Sequence, residues 1–141
     1  MKKKILIIGY GSIGKRHAKI ITQNFSLFSI YIFTSQLKID YDRISSFNEI
    51  KVLNPDYIII CSETYKHYQQ LNFIEKNFKN KKVLVEKPLF DKIYNFNIVK
   101  NKVFIGYNLR FHPLLNKIKK EIKNKKIWSV NINCSSYLPD W

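Results

Sequence analysis

Cysteine occurs only at positions 61 and 134 of the 141 residues, with no Cys-x-x-Cys pair and no histidine cluster. That spacing argues against a metal or redox centre and fits reduced thiols in a cytoplasmic protein. Long apolar runs are missing as well: none approaches the roughly 18 residues that a membrane span needs. Lys2-Lys3-Lys4 before Ile5-Leu6-Ile7-Ile8 imitates the start of an export signal, but the run stops at Gly9, short of the roughly 7 to 15 residues of such a segment. No membrane attachment is expected. Acid is scarce too, with 10 Asp and Glu against 25 Lys and Arg, a net charge of +15. Yet arginine stands only at positions 16, 43 and 110, and phosphate or base readout favours the Arg fork. The lysines are scattered among many Asn and Ile, which reads as a solvated basic surface without a specific nucleic-acid partner. No internal repeat or low-complexity linker divides the chain, whose length suits about one domain.

What is present begins with Ile5-Leu6-Ile7-Ile8-Gly9-Tyr10-Gly11-Ser12-Ile13-Gly14. An apolar strand runs into a Gly-x-Gly-x-x-Gly turn and then an amphipathic segment, the context in which that spacing marks a dinucleotide-binding fold. Gly9 would allow the sharp turn, Gly11 would leave room for a pyrophosphate, and Gly14 would let helix and strand pack closely. The N–H groups of the helix start, at Ser12 and Ile13, would face the anion. A plain glycine turn is the alternative.

Strand-like and helix-like segments then alternate, the pattern of a parallel sheet covered on both faces. Strand 3–8 precedes a helix from Ser12 to about Asn24, with Ile13, His17, Ile20 and Ile21 on one stripe, where His17 reads as a packed core histidine. A strand follows near Ser29–Thr34, and the polar stretch 36–46 has room for one short strand. Phe47–Leu53 reads as a short helix stopped by Asn54-Pro55. Tyr57–Cys61 is a buried strand, and Tyr68, Leu71, Ile74, Glu75 and Phe78 keep helical spacing. Strands at 83–85 and 103–105 come next. Pro113 opens a helix to about Lys123, and Trp128, Val130, Ile132 and Cys134 alternate as in a half-buried antiparallel strand from Ile127 to Tyr137. The expected architecture is α/β: a Rossmann-type, doubly wound parallel sheet in three layers over residues 1–125, with the first strand of a second domain in 126–141.

Three further segments stand at strand ends, where open α/β sheets bind ligands: Cys61-Ser62-Glu63-Thr64-Tyr65-Lys66-His67, Glu86-Lys87-Pro88-Leu89, and Gly106-Tyr107-Asn108-Leu109-Arg110-Phe111-His112-Pro113. Together with the glycine turn, they make the whole chain resemble the N-terminal half of the Gfo/Idh/MocA family, relatives of glucose-fructose oxidoreductase and inositol dehydrogenase. The resemblance implies an NAD- or NADP-binding domain with Lys87, of the Glu-Lys-Pro motif, beside the nicotinamide and the substrate. There its ammonium would stabilise charge developing on the substrate oxygen; read without the family, Lys87 is one surface lysine among many. The resemblance also implies a cis Lys87–Pro88 bond. Glu86 orients Lys87 or the ribose, or forms an ordinary ion pair. Arg16 reaches a cofactor phosphate or is an exposed first-turn residue, and His67 lies near the nicotinamide ribose or caps its helix. Ser62 and Thr64 are implied cofactor contacts, Thr64 standing where many relatives have Asn. Asn108 and Arg110 belong near the nicotinamide and substrate, Phe111 and Pro113 to packing and helix entry.

Two departures from the family pattern stand out. The carboxylate expected about 20 residues after the glycines to hold the ribose hydroxyls of NAD is replaced by Thr34-Ser35-Gln36, with Lys38 nearby. Hydroxyls and an amide there favour NADP over NAD. Relatives also continue into a larger domain with the substrate pocket and a catalytic His, whereas this sequence ends at Tyr137-Leu138-Pro139-Asp140-Trp141. The ending resembles that of members acting on sugar or sugar-nucleotide precursors of surface polysaccharides. The sequence thus points to the cofactor domain of an oxidoreductase of sugar, sugar-nucleotide or polyol substrates, or to a nucleotide-binding module without catalysis. Homo-oligomers through the unpaired edge at Ile127 are a further expectation.

Overall fold

The computed structural model describes residues 2–133. Its chain divides into two compact units, Met1–Tyr107 and Asn108–Trp141. The first unit is built on β1 (Lys3–Ile8), α1 (Ser12–Asn24), β2 (Phe28–Phe33), β3 (Asp42–Ile44), α2 (Phe47–Leu53), β4 (Tyr57–Ile60), α3 (Thr64–Asn77), β5 (Lys82–Val85) and β6 (Lys102–Ile105). All six strands are parallel, in the order β3-β2-β1-β4-β5-β6. Strand order therefore reverses between β1 and β4, the place where open sheets of this kind leave a crevice.

The central strands are continuously apolar because both their faces are covered. Leu6, Ile8, Ile58, Ile60, Val83 and Val85 face one core, filled by Ile50 and Leu53 of α2 and Leu71 and Ile74 of α3. Ile5, Ile7 and Ile32 face the other, packed by Ala18 and Ile21 of α1. Three layers result, as the alternation of elements implies. Pairing of Ile8 with Phe33 and with Ile60, and of Ile60 with Val85, aligns the strand ends along one crest.

The crossing from β5 to β6 has no helix. Residues 86–101 are instead held on α3, where Tyr68 stacks on Tyr94 at 3.9 Å and meets Phe90 and Phe96 edge-on. Buried Glu75 fastens the far end by accepting from Val99 N, Lys100 N and Asn101 Nδ2. Burial alone would raise the Glu75 carboxyl, but these donors outweigh it and hold the group below the usual range.

In the second unit a 3-10 turn, Asn108–Phe111, leads to α4 (Pro113–Glu121). His112 caps this helix by accepting from Leu114 N, and Pro113 takes the first helical position. Of the strand expected from Ile127 to Tyr137, residues 127–133 carry no regular structure, and 134–137, with Cys134, lie outside the described residues. A period-two pattern becomes a strand only when a neighbour supplies the hydrogen-bond ladder, and no described residue of this unit forms a strand. Among the described residues, no helix is long and apolar enough to cross a membrane.

Candidate functional site

A cleft of about 760 Å³ opens at the crest of the first unit, between the glycine turn after β1, the end of β2 and the start of α3. Gly9 has φ of +98°, and a Cβ there would stand 2.6 Å from Ser62 N. A side chain is excluded by conformation and by space. Gly14 is shut in as tightly, since its Cβ would run into Gly9 O. Gly11 is the opposite case: nothing lies within 4 Å of where its Cβ would be, and it lines the cleft.

That open space lies at the start of α1. Gly11 is the N-cap, no side chain caps the helix, and its first turn has no acidic residue. The leading N–H groups, including those of Ser12 and Ile13, are thus left for an anion. The short helix α2 shows the contrast, because Ser46 accepts from Glu49 N and donates to its carboxylate, closing its own start. A cradle of bare backbone beside an uncapped helix fits a pyrophosphate.

Beyond the glycine turn, Thr34, Ser35 and Gln36 form one wall, joined by Arg43, Ser45 and Phe47. Gln36 Nε2 donates to Tyr10 O at 3.1 Å, and Arg43 Nη1 to Thr34 O at 3.4 Å. Ser62, Glu63, Tyr65 and Lys66 form the facing wall. Ser62 Oγ donates to Gln70 Oε1 at 2.7 Å, and Lys66 pairs with Glu63 at 3.0 Å. Cys61 closes the floor, its thiol donating to Gly9 O at 3.2 Å. Burial, with the negative charge of Glu86 second, pushes this thiol up to about 12.

Several residues singled out in the sequence stand outside this lining. Arg16 is exposed on α1, and Thr64 is the first residue of α3. Lys38 lies in a neighbouring recess with Lys15, Lys19 and Tyr41. His17 is not packed in an apolar core, because its Nε2 lies 2.8 Å from Glu86 Oε1. His67 is 1% exposed, and neither caps α3, whose N-cap is Glu63, nor reaches the cleft. Its Nε2 lies 3.0 Å from Ser62 O, and its Nδ1 lies 3.1 and 3.2 Å from Pro88 O and Leu89 O. The ring thereby ties the end of β4 to the end of β5.

Glu86 and Lys87 sit at the end of β5, with Glu86 N donating to Ile60 O at 2.8 Å and the Lys87–Pro88 bond cis. The two histidines hold this segment from opposite faces of the sheet, His17 on the side of α1 and His67 on that of α3. Lys87 between them is exposed. Asn108 and Arg110 belong to the 3-10 turn of the second unit. Arg43, with Ser45 and Phe47, is among the cleft residues that sequence reasoning missed, since it is remote from the glycine turn and reaches the cleft through the pairing of β3 with β2.

A family model described as an oxidoreductase family with an NAD-binding Rossmann fold, GFO_IDH_MocA, matches residues 3–103. No curated protein matches the chain by sequence. Among solved structures, the WlbA dehydrogenase of Chromobacterium violaceum, in complex with NADH and UDP-GlcNAcA, superposes with a TM-score of 0.72 at 15% identity, over 88% of this chain and 40% of that one. The scyllo-inositol dehydrogenase of Lactobacillus casei, with bound NAD(H) and scyllo-inositol, gives 0.68 at 20% identity, over 87% and 41%. The WlbA dehydrogenase of Bordetella pertussis, in complex with NADH and UDP-GlcNAcA, gives 0.67 at 17%, over 87% and 42%. The chain spans about two fifths of the length of these structures.

Proposed function

The chain belongs to the Gfo/Idh/MocA oxidoreductases and carries that family's NAD-binding Rossmann fold, and from this we propose that its crest cleft binds a nicotinamide dinucleotide used for hydride transfer with a sugar, sugar-nucleotide or polyol. The observation that carries the reading is the open Cβ space of Gly11 beside the uncapped start of α1. Ser12 and Ile13 N–H would hold the pyrophosphate, with Thr34 and Ser35 on the adenosine ribose. The missing carboxylate at the end of β2 supports NADP over NAD. The buried thiol of Cys61 suits a reducing, cytoplasmic setting.

The dinucleotide supplies the hydride acceptor or donor when bound. Lys87 would hydrogen-bond the substrate oxygen on which charge develops. His67 and His17 would act through backbone and carboxylate to place the Glu86-Lys87-Pro88 segment. Support for the substrate class comes from the UDP-GlcNAcA and scyllo-inositol held by the structural relatives. A second reading, a dinucleotide-binding unit without hydride transfer, is favoured by the exposure of Lys87, since catalysis of this kind gains from excluding water.

Titration of the chain with NADPH and NADH, followed by absorbance at the nicotinamide band with UDP-sugars and inositols, separates the readings. Turnover that Lys87→Met lowers by a hundredfold or more, with dinucleotide affinity unchanged, supports the enzyme. Tight binding without turnover supports the binding unit. Failure to bind either dinucleotide overturns both.

A further inference from the structure

The cleft has one wall whose chemistry the glycine turn does not explain. At the ends of β2 and β3 stand Thr34, Ser35, Gln36, Arg43 and Ser45, which supply hydroxyls, an amide and one guanidinium. The one carboxylate among the cleft residues, Glu63, is paired with Lys66 across the opening. Arg43 makes no ion pair within 4 Å among the described residues, and the only hydrogen bond of its guanidinium there is the long one to Thr34 O. A guanidinium has five N–H donors in a planar fork that matches phosphate oxygens.

Resting on the reading that the cleft takes a dinucleotide, we propose that Arg43 selects NADP by binding its 2′-phosphate, and that Lys38 does not. The residue pairing Ile32 with Arg43 and Phe33 with Ile44 fixes the distance between β3 and the strand end where the ribose would lie. A phosphate monoester there meets a cation and the hydroxyls of Thr34 and Ser35, whereas a ribose hydroxyl gives Arg43 only a neutral acceptor. Lys38 follows Gln36 by two residues, yet it lines the recess with Lys15, Lys19 and Tyr41. The side chain of Gln36, bonded to Tyr10 O, forms the border between the two. Lys66 is the other cation of the cleft, and its partner Glu63 already occupies it.

The test is calorimetric titration of the 141-residue chain with NADPH, NADH, 2′,5′-ADP and 5′-ADP at one ionic strength, because phosphate contacts weaken with salt. Arg43→Gln is expected to weaken NADPH and 2′,5′-ADP by about tenfold or more, the scale of a lost charge-assisted hydrogen bond, while NADH and 5′-ADP change by less than about twofold. Lys38→Gln leaves the preference unchanged. An equal loss for both dinucleotides would assign Arg43 to the adenine and overturn the proposal, as would no loss at all or a preference that vanishes in Lys38→Gln. Wild-type chain that binds neither dinucleotide overturns the cofactor reading with it. Modification of wild-type Arg43 by phenylglyoxal, read by peptide mass, gives the answer without a variant: NADPH at saturation protects it and NADH does not. Equal protection by both overturns the assignment.

Discussion

His17 Nε2 lies 2.8 Å from Glu86 Oε1, joining a helix on one face of the sheet to the carboxylate at the end of β5. Both side chains are about one quarter exposed, so the contact is only partly screened by water. Gly106 leaves room for this carboxylate, since an added Cβ there would stand 3.0 Å from Glu86 Oε2. Replacing His17 with Phe leaves a half-buried carboxylate without its partner. The expected cost is about 1 to 3 kcal/mol, measured by urea unfolding, with His17→Gln recovering part of it. A loss below about 0.5 kcal/mol, typical of surface substitutions, would make the pair a solvated contact.

The three glycines of the turn should respond differently to alanine. Alanine is favoured over glycine inside a helix by about 1 kcal/mol, so Gly14→Ala would stabilise α1 if nothing stood in the way. Here the added Cβ meets Gly9 O and comes within 3.2 Å of Cys61 Sγ, and backbone cannot swing aside. A net loss of about 2 kcal/mol or more is expected in chemical denaturation. Gly11→Ala meets nothing within 4 Å and should cost no more than about 1 kcal/mol, the scale of an N-cap change. Its dinucleotide affinity should nonetheless fall by about tenfold or more, since the cradle is filled. If Gly11→Ala binds as wild type does, the pyrophosphate is not on this turn.

The sheet was legible in the sequence because burial on both faces leaves continuous apolar strands, as in Ile5–Ile8 and Tyr57–Ile60, and because apolar helix positions recur at helical spacing. What depended on distant partners was not. Tyr94 and Phe96 show no period of their own, and their order comes from Tyr68 on α3. The alternation at Trp128, Val130 and Ile132 has the period of a strand, yet the described residues 127–133 carry no regular structure. Lys38 stands near Gln36 in sequence and Arg43 does not, yet it is the three-residue β3 that carries Arg43 to the cleft. His67 was visible as a helix residue, while the carbonyls around its ring come from the ends of β4 and β5.

Glu75 makes the β5–β6 crossing sensitive to acid. Its carboxylate gathers Val99 N, Lys100 N and Asn101 Nδ2, and these bonds hold it below the usual range against the opposing effect of burial. A folded-state value below the unfolded one means stability that is present above about pH 4.5 and lost as pH falls through the folded value. Glu75→Gln should be less stable than wild type by about 1 to 3 kcal/mol at pH 7, with the gap narrowing at pH 3. Urea midpoints of the two proteins at both pH values check this, and an unchanged gap would show that the charge contributes nothing.

Cys61 should make the fold sensitive to base. Its thiol is buried beneath the glycine turn, and burial followed by the charge of Glu86 pushes it up to about 12, against about 8.5 for an unfolded cysteine. The folded chain therefore keeps a proton that the unfolded chain has lost. The associated stability is fully present below about pH 8.5 and declines as pH rises toward the folded value, at about 1.4 kcal/mol per pH unit. Lysines and tyrosines titrate over the same range, but they do so in both wild type and Cys61→Ala. The difference in unfolding free energy between those two proteins should thus shift against wild type by that slope from about pH 9 to 11. A difference that stays constant with pH would mean the Cys61 thiolate is tolerated in the fold. It would then lie close to the Gly9 carbonyl, which accepts from the thiol at 3.2 Å, and that contact would have to open.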